Sequence, residues 1–234
     1  MNVLRIATWA AIGSFLFWSS EGVASQAVAS KNDCIVKTAA QRASWVAWIE
    51  RHLSKHDPAH AAQMSEAVSA IINGEVDRLK SDIESGLDPN GVLKVGPTAG
   101  EMSLLTLAAA ACQTGVAEQL IAAGASANGT EDSVPIVAAA GSGATSIAEL
   151  LLGHGASVDK VDWSGHTALE DAVRQRHLDT VRLLLSNGSD PNRMVSGGRG
   201  TILDLVAHSS APIDQAISME LRAHGAGAAL PSGQ

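Results

Sequence analysis

Aromatic residues are scarce in this chain. Its 234 residues include no Tyr and two Phe, whereas 22 are Gly. A core built without large rings has to rest on aliphatic and small side chains, which favours helices stacked at short distance. Disorder throughout the chain is excluded, because 46% of the residues are hydrophobic and 17% are charged, as in ordinary soluble proteins.

Basic residues are few as well. Sixteen Lys and Arg stand against 24 Asp and Glu, which gives a formal net charge of −8. Proteins that bind nucleic acid need a basic stripe that displaces counterions from the phosphates, and this chain has none. The charge therefore argues against nucleic acid as a partner and favours a neutral or basic protein surface.

The sequence also has no hydrophobic run long enough for a membrane anchor. Its N-terminal run, Ile6 to Trp18, is shorter than the roughly 20 apolar residues of a transmembrane helix. Arg5 precedes this run and small residues follow it, an order typical of an export signal. We expect cleavage after Ala27, with cleavage after Ser25 as the alternative. Residues 1–27 are then a signal peptide, and the mature protein is periplasmic or secreted, without membrane contact.

The chain has two cysteines, Cys34 and Cys112. In an oxidising compartment an even count permits a disulfide between them. Sequence does not show whether their Cα atoms come within the ~7 Å that a disulfide requires, so two buried thiols are the alternative.

One short phrase recurs along the chain: Gly, then small or polar residues, then Asn or Asp. It reads GLDPN from residue 86, GASAN from 124, GASVD from 155 and GSDPN from 188, with a degraded GAGAA from 225. The spacings are 38, 31, 33 and 37 residues. A period near 33 with two short helical patterns in each unit predicts a stack of helical repeats.

The clearest unit is GHTALEDAVRQRHLDTVRLLLSNGSDPN, Gly165 to Asn192, which closely resembles the ankyrin repeat. VPIVAAAGSGATSIAELLLGHGASVD resembles it too, as does SLLTLAAAACQTGVAEQLIAAGASAN, where Cys112 replaces the interhelix Gly. GEVDRLKSDIESGLDPN and GTILDLVAHSS resemble parts of a first and a degenerate last repeat. The resemblance implies an all-α ankyrin-repeat solenoid of about five helix-turn-helix repeats over residues 64–228. The first helix is expected at Ser65–Asn73 and a frayed tail at 229–234.

Each second helix has an apolar face that one repeat cannot bury by itself. In the fourth repeat, Val181, Leu184 and Leu185 recur at helical spacing. Stacked neighbours cover such a face, and Ala-rich first helices allow close approach. The glycines of the recurrent phrase follow the helix ends, where left-handed backbone costs a residue with a Cβ about 1 kcal/mol. Asp82 replaces an expected apolar residue, so we expect an irregular first repeat.

Residues 28–63 precede the repeats and contain an amphipathic helical pattern that ends before Pro58. Its apolar members are Trp45, Val46, Trp48, Ile49 and Leu53. An end repeat exposes an apolar edge, so we expect this helix to cap the N-terminal side of the stack. The alternative is that its two tryptophans form a partner site.

Residues 162–172, DWSGHTALEDA, bring Ser164 and His166 close in sequence to carboxylates. A catalytic triad converges from different elements, whereas these residues share one turn and one helix. The resemblance instead places Ser164 and His166 in a fingertip turn, Thr167 at the helix cap and Glu170 at the position of the family's histidine. A Thr cap stabilises a helix by about 1 kcal/mol.

Other candidate chemistry is weaker. His52, His56 and His60 have the four-residue spacing of metal ligands, but a proline interrupts the helix and no carboxylate follows the spacing, so we predict no metal site. Ser142 lacks the flanking glycines of a nucleophile elbow, and GGRG at 197–200 lacks the end of a phosphate loop. We predict no cofactor and no enzymatic activity, with a metal-binding or hydrolytic periplasmic enzyme as the minor alternative.

In the ankyrin family, partners bind to the fingertips and to exposed positions of the first helices. Trp163 carries the most weight among these positions here, because Trp and Arg are common hot spots, unless its ring folds back over its own loop. Two fingers, 91–101 and 193–200, are long and add basic residues to an acidic face. The predicted partner-binding residues are Trp163, Ser164, His166, Arg174, Gln175, Met102, Glu131, Asp132, Ser133, Lys94, Arg199 and His208.

These features predict an exported protein-protein interaction module that binds a partner protein through its concave face. Two roles recur among similar exported proteins. One is immunity to a toxin delivered to the periplasm, such as a secretion-system effector, and the other is support of periplasmic oxidative-stress defence. A small acidic binder suits inhibition steered by charge, so we favour the immunity hypothesis over the stress-related alternative.

Overall fold

The structure is a computed structural model that describes residues 39–56, 61–94, 101–198 and 200–227. Over these residues the chain consists mainly of consecutive helix pairs, which confirms the predicted all-α stack. The helices are α1 Ala39–His56, α2 Ala61–Asn73, α3 Val76–Glu84, α4 Leu104–Ala110, α5 Thr114–Ala122, α6 Pro135–Ser142, α7 Thr145–Gly153, α8 Ala168–Gln175, α9 Leu178–Ser186 and α10 Pro212–Ala223. Two short strands, β1 Val92–Lys94 and β2 Glu101–Ser103, and a 3-10 helix, Ile202–Leu205, complete the elements.

The helices form two layers. The first helices α2, α4, α6 and α8 pack one on the next, and the second helices α3, α5, α7, α9 and α10 form the other layer. Leu120, Leu151 and Leu184 occupy equivalent positions between the layers and are fully buried. Asp82 stands at the same position in the first repeat, where its Oδ2 atom is buried without a hydrogen-bond partner. The expected apolar column is therefore interrupted at one end of the stack.

Helix α1 packs against α2 at the N-terminal end, with Trp45 and Ile49 buried. It ends at His56, before Pro58, as the pattern predicts. Helix α2 begins at Ala61, four residues before the expected start at Ser65. Among the described residues, no helix combines the length and the apolar character that crossing a membrane requires. Residues 1–27 and 229–234 lie outside the described ranges, so the signal peptide and the frayed tail stay predictions.

In the first four repeats, the turn between the two helices has a left-handed residue. Gly74, Cys112, Gly143 and Arg176 have φ of 75, 59, 72 and 63°. The next repeat covers this turn closely: a Cβ on Gly143 would lie 2.6 Å from Nδ1 of His177. Cys112 is disulfide-bonded, and its sulfur lies 3.8 Å from the carbonyl oxygen of Ser142. Its expected partner, Cys34, lies outside the described residues, so that pairing stays a prediction.

The last residue of the recurrent phrase joins each repeat to the next. Asn128 donates from Nδ2 to the carbonyl of Gly155 at 3.1 Å and accepts from the N–H of Ser157 at 2.8 Å. Asn90 and Asn192 make the same pair of contacts one repeat further along. The glycine turns the chain with a positive φ in each copy of the phrase, and in three copies an Asn amide links neighbouring turns.

Both long fingers contain paired backbone. Strands β1 and β2 are antiparallel, with Val92 opposite Ser103 and Lys94 opposite Glu101, and Met194 forms an isolated antiparallel bridge with Thr201. The fifth repeat has a 3-10 helix in place of its first α-helix. Within the described residues, this pairing sets the direction of the side chains that the paired residues carry.

Candidate functional site

The fingertip of the fourth repeat, residues 162–166, is a turn closed by one carboxylate; we call it finger 4. Oδ1 of Asp162 accepts hydrogen bonds from the Ser164 N–H at 2.9 Å, the Ser164 hydroxyl at 2.6 Å and the His166 N–H at 3.1 Å. Gly165 supplies the positive φ of 82° that the turn needs. Finger 4 is thus fixed from within.

Helix α8 begins directly after finger 4. The Thr167 hydroxyl accepts from the Glu170 N–H at 3.2 Å, which confirms the predicted cap. Nδ1 of His166 lies 2.9 Å from Oδ1 of Asp171, and its Nε2 lies 3.8 Å from Oε1 of Glu170. The hydrogen bond with Asp171 raises the pKa of His166, and burial raises the pKa of Asp171.

Glu170 connects α8 to the fingertip of the fifth repeat, residues 193–201, which we call finger 5. Its side chain is 1% exposed, and its Oε1 accepts from Arg174 Nε at 3.0 Å and Nη2 at 2.7 Å. The Ser196 N–H donates to both carboxylate oxygens, at 3.2 and 3.1 Å. The Ser196 hydroxyl donates to the Ser164 carbonyl at 2.7 Å. Finger 4, finger 5 and α8 therefore form one connected surface, here called the repeat 4–5 surface.

The structure brings several predicted site residues together on the repeat 4–5 surface. Ser164 and His166 serve the internal network, Trp163 and Gln175 are half-buried, and Arg174 is exposed. Sequence reasoning missed Met194 of finger 5, which is 55% exposed. Its position in a long finger was the available signal, because long fingers in a compact array often bind partners.

Other predicted residues lie on other fingers or after the 3-10 helix. Glu131 is exposed and Asp132 is half-buried in the third repeat, and His208 is exposed in the fifth. Lys94 is exposed on β1, with its Nζ 3.5 Å from the Glu101 carboxylate. Arg199 lies outside the described residues and stays a prediction.

Met102 and Ser133 do not fit the role predicted for them. Met102 is 3% exposed, because strand pairing places it opposite Leu93 on the core side of the hairpin. Ser133 is 1% exposed, since its hydroxyl donates to Thr106 Oγ1 at 2.7 Å and accepts from the Ser103 N–H at 2.9 Å. Both residues stabilise neighbouring fingers, so a partner cannot reach them in this structure.

The polar groups of the surface are not arranged for nucleophilic catalysis. The Ser164 hydroxyl donates to Asp162, whereas His166 contacts Asp171, so no imidazole activates the serine. Within the described ranges, no three His, Cys, Asp or Glu side chains are placed to hold a metal ion. The side chains of His52 and His56, and His60 as a whole, lie outside that description. The surface presents hydrogen-bonding and apolar groups on a fixed frame, which is chemistry for binding.

Comparison with known proteins identifies the repeated unit. Residues 105–195 match the family model described as ankyrin repeats, in three copies. No curated protein matches the chain. The matched segment extends from α4 into finger 5 and includes finger 4 and α8, so the repeat 4–5 surface lies largely within it.

Proposed function

Because this chain is an ankyrin-repeat protein, a module for protein-protein interaction, we propose that it binds a partner protein through the repeat 4–5 surface. One observation carries the proposal: the contacts of Glu170 and Asp162 hold two fingertips and a helix in one arrangement while other side chains stay accessible. A preorganised surface loses little entropy on binding. Trp163 and Arg174 are of the residue types that dominate binding energies.

The net charge of the chain favours a basic partner. Glu131 and Asp132 on the neighbouring fingertip are exposed and half-buried, and the whole chain carries −8. Complementary charge accelerates association and excludes acidic competitors. The module therefore acts by covering a basic protein surface and performs no chemistry of its own.

Export is the setting that best fits the remaining features. An apolar run preceded by Arg5 is typical of a signal peptide. The disulfide bond of Cys112 supports the same setting, because such bonds persist in oxidising compartments. We propose a periplasmic immunity protein that neutralises a delivered toxin by occupying it.

Two exposed methionines provide a matched test of the surface. Met194 lies on finger 5 and is 55% exposed, and Met219 lies on α10, in the second layer, and is 72% exposed. The wild-type protein, Met194→Lys and Met219→Lys would each be expressed with a tag in the host periplasm, and the captured proteins identified and their affinities measured. We expect Met194→Lys to lose about 30-fold in affinity, the effect of a 2 kcal/mol hot spot, and Met219→Lys to bind normally.

Different outcomes test the binding surface, the protein-binding role and the immunity role separately. Equal binding by both variants would contradict the repeat 4–5 surface, and the absence of any specific partner would contradict the module itself. A captured toxin whose growth inhibition is relieved by co-expression would support immunity. A captured antioxidant protein would instead favour the stress-related role.

A further inference from the structure

His166 is the residue through which finger 4 reaches α8. It is the last residue of the finger, and its ring lies 2.9 Å from Asp171 on the helix by Nδ1 and 3.8 Å from Glu170 by Nε2. The imidazole is 30% exposed and the Asp171 side chain 23%, so the contact is partly shielded from water. A contact with these distances holds finger and helix together most strongly when the ring carries a proton.

The charges around the ring favour that proton. Asp162 acts on it from its own finger, and Asp171 and Glu170 act on it from α8. The guanidinium of Arg174 hydrogen-bonds Glu170. A protonated imidazole supplies the positive charge that faces Asp171.

The other elements packed here contribute neutral groups. Finger 5 presents the N–H and hydroxyl of Ser196, and α6 presents Gly141, where a Cβ would lie 3.5 Å from Oδ2 of Asp171. Neither can replace the charge of the imidazole when its proton leaves. Loss of the imidazole proton therefore leaves one positive charge fewer to offset the repulsion between the Asp171 and Glu170 carboxylates.

We propose that the contact between His166 and Asp171 is a proton-dependent latch, which holds finger 4 on α8 while the imidazole carries its proton and Asp171 its negative charge, and which weakens when rising pH removes the proton from the ring. The latch is a property of the free protein. Its effect on binding rests on the proposed function, because a partner that contacts finger 4 and α8 together binds more tightly when the latch holds them in one arrangement. The Ser196 hydroxyl, bonded to the Ser164 carbonyl, transmits the change to finger 5.

The direction of the pH effect follows from linkage. The hydrogen bond with Asp171 raises the pKa of His166 above its ordinary 6.5. A group with a raised pKa in the folded state contributes stability that is complete below the unfolded value and is lost as pH rises through the folded value.

The test is an NMR titration of the free mature protein between pH 5.5 and 9. The imidazole signal of His166 is followed together with the backbone amides of Ser164 and Gly165. Asp171→Asn serves as the control, because it removes the carboxylate that the ring contacts. We expect the pKa of His166 in the wild-type protein to lie above its ordinary 6.5 and both amides to shift with the midpoint of His166. In Asp171→Asn, the midpoint of His166 is expected to fall.

Two results would overturn the latch. The pKa of His166 could lie at or below its ordinary 6.5, or the amides of the finger could fail to follow the ring. The wild-type titration decides this even when a variant folds poorly, and it needs no partner. Failure of the latch is therefore distinguishable from failure to find a protein bound at the repeat 4–5 surface.

Discussion

The close contact of Gly143 with the next repeat predicts a stability cost that exceeds backbone strain. Gly143 and Gly155 both have left-handed backbone, with φ of 72 and 81°. A Cβ on Gly155 would meet nothing within 4 Å, whereas a Cβ on Gly143 would lie 2.6 Å from Nδ1 of His177. Gly155→Ala therefore isolates the cost of the backbone conformation, and Gly143→Ala adds a collision between repeats.

The magnitudes follow from these two contributions. Left-handed backbone costs a residue with a Cβ about 1–2 kcal/mol, and overpacking in a filled interior costs about 1–3 kcal/mol more. His177 cannot swing away freely, because its ring hydrogen-bonds the backbone of Gly141. We expect Gly143→Ala to lower the free energy of unfolding by about 2–5 kcal/mol and Gly155→Ala by about 1–2 kcal/mol.

Urea unfolding followed by circular dichroism measures both costs. The same Gly143→Ala change is then made in a His177→Ala background, where the colliding ring is absent. There its cost is expected to fall to that of Gly155→Ala, a coupling of about 1–3 kcal/mol in the double-mutant cycle. An equal cost in both backgrounds would refute the steric reasoning, and so would equal costs for the two glycine substitutions.

Three further predictions concern single positions. Asp82→Leu is expected to raise the free energy of unfolding by about 1–3 kcal/mol, because Asp82 has a buried carboxylate oxygen without a hydrogen-bond partner and Leu occupies the equivalent position of the following three repeats. Asp77→Leu, at an exposed position of the same helix, should give no such gain in urea unfolding. Burial lowers the pKa of His177, so its contribution to stability is present above pH 6.5 and lost as pH falls through the folded pKa; urea midpoints at pH 7 and 5 should differ less in His177→Gln, and an unchanged difference would contradict this. Mass spectrometry of the unreduced exported protein is expected to find the Cys112 peptide joined to the Cys34 peptide, and two free thiols would exclude the pairing.

The sequence predicts the stack well because its strongest signals are local. Glycine after each second helix and Thr167 at the start of α8 act within one turn of backbone, and both occupy their expected conformations. The fingers are different, since their contacts join residues that are far apart in the chain. Ser196 reaches Glu170 across 26 residues, and Met102 is buried by pairing with Leu93 of another strand. A repeat template carries no information about such contacts, so it misplaced Met102 and missed the role of Glu170.

The link between the third and fourth repeats differs from the others in one paired exchange. Asp159 stands where the other links have Asn, and Ser189 stands in a column otherwise formed by Leu or Ala. An aspartate cannot donate as an amide does, and its Oδ1 instead accepts from the Ser189 hydroxyl at 2.6 Å. The asparagine links contact only backbone atoms of the next repeat, so they do not depend on a particular side chain there. The contact of Asp159 with Ser189 is therefore a side-chain pair that the asparagine links lack, and a neighbouring repeat without the hydroxyl would leave Asp159 only the Asp190 N–H, at 3.1 Å, as a donor.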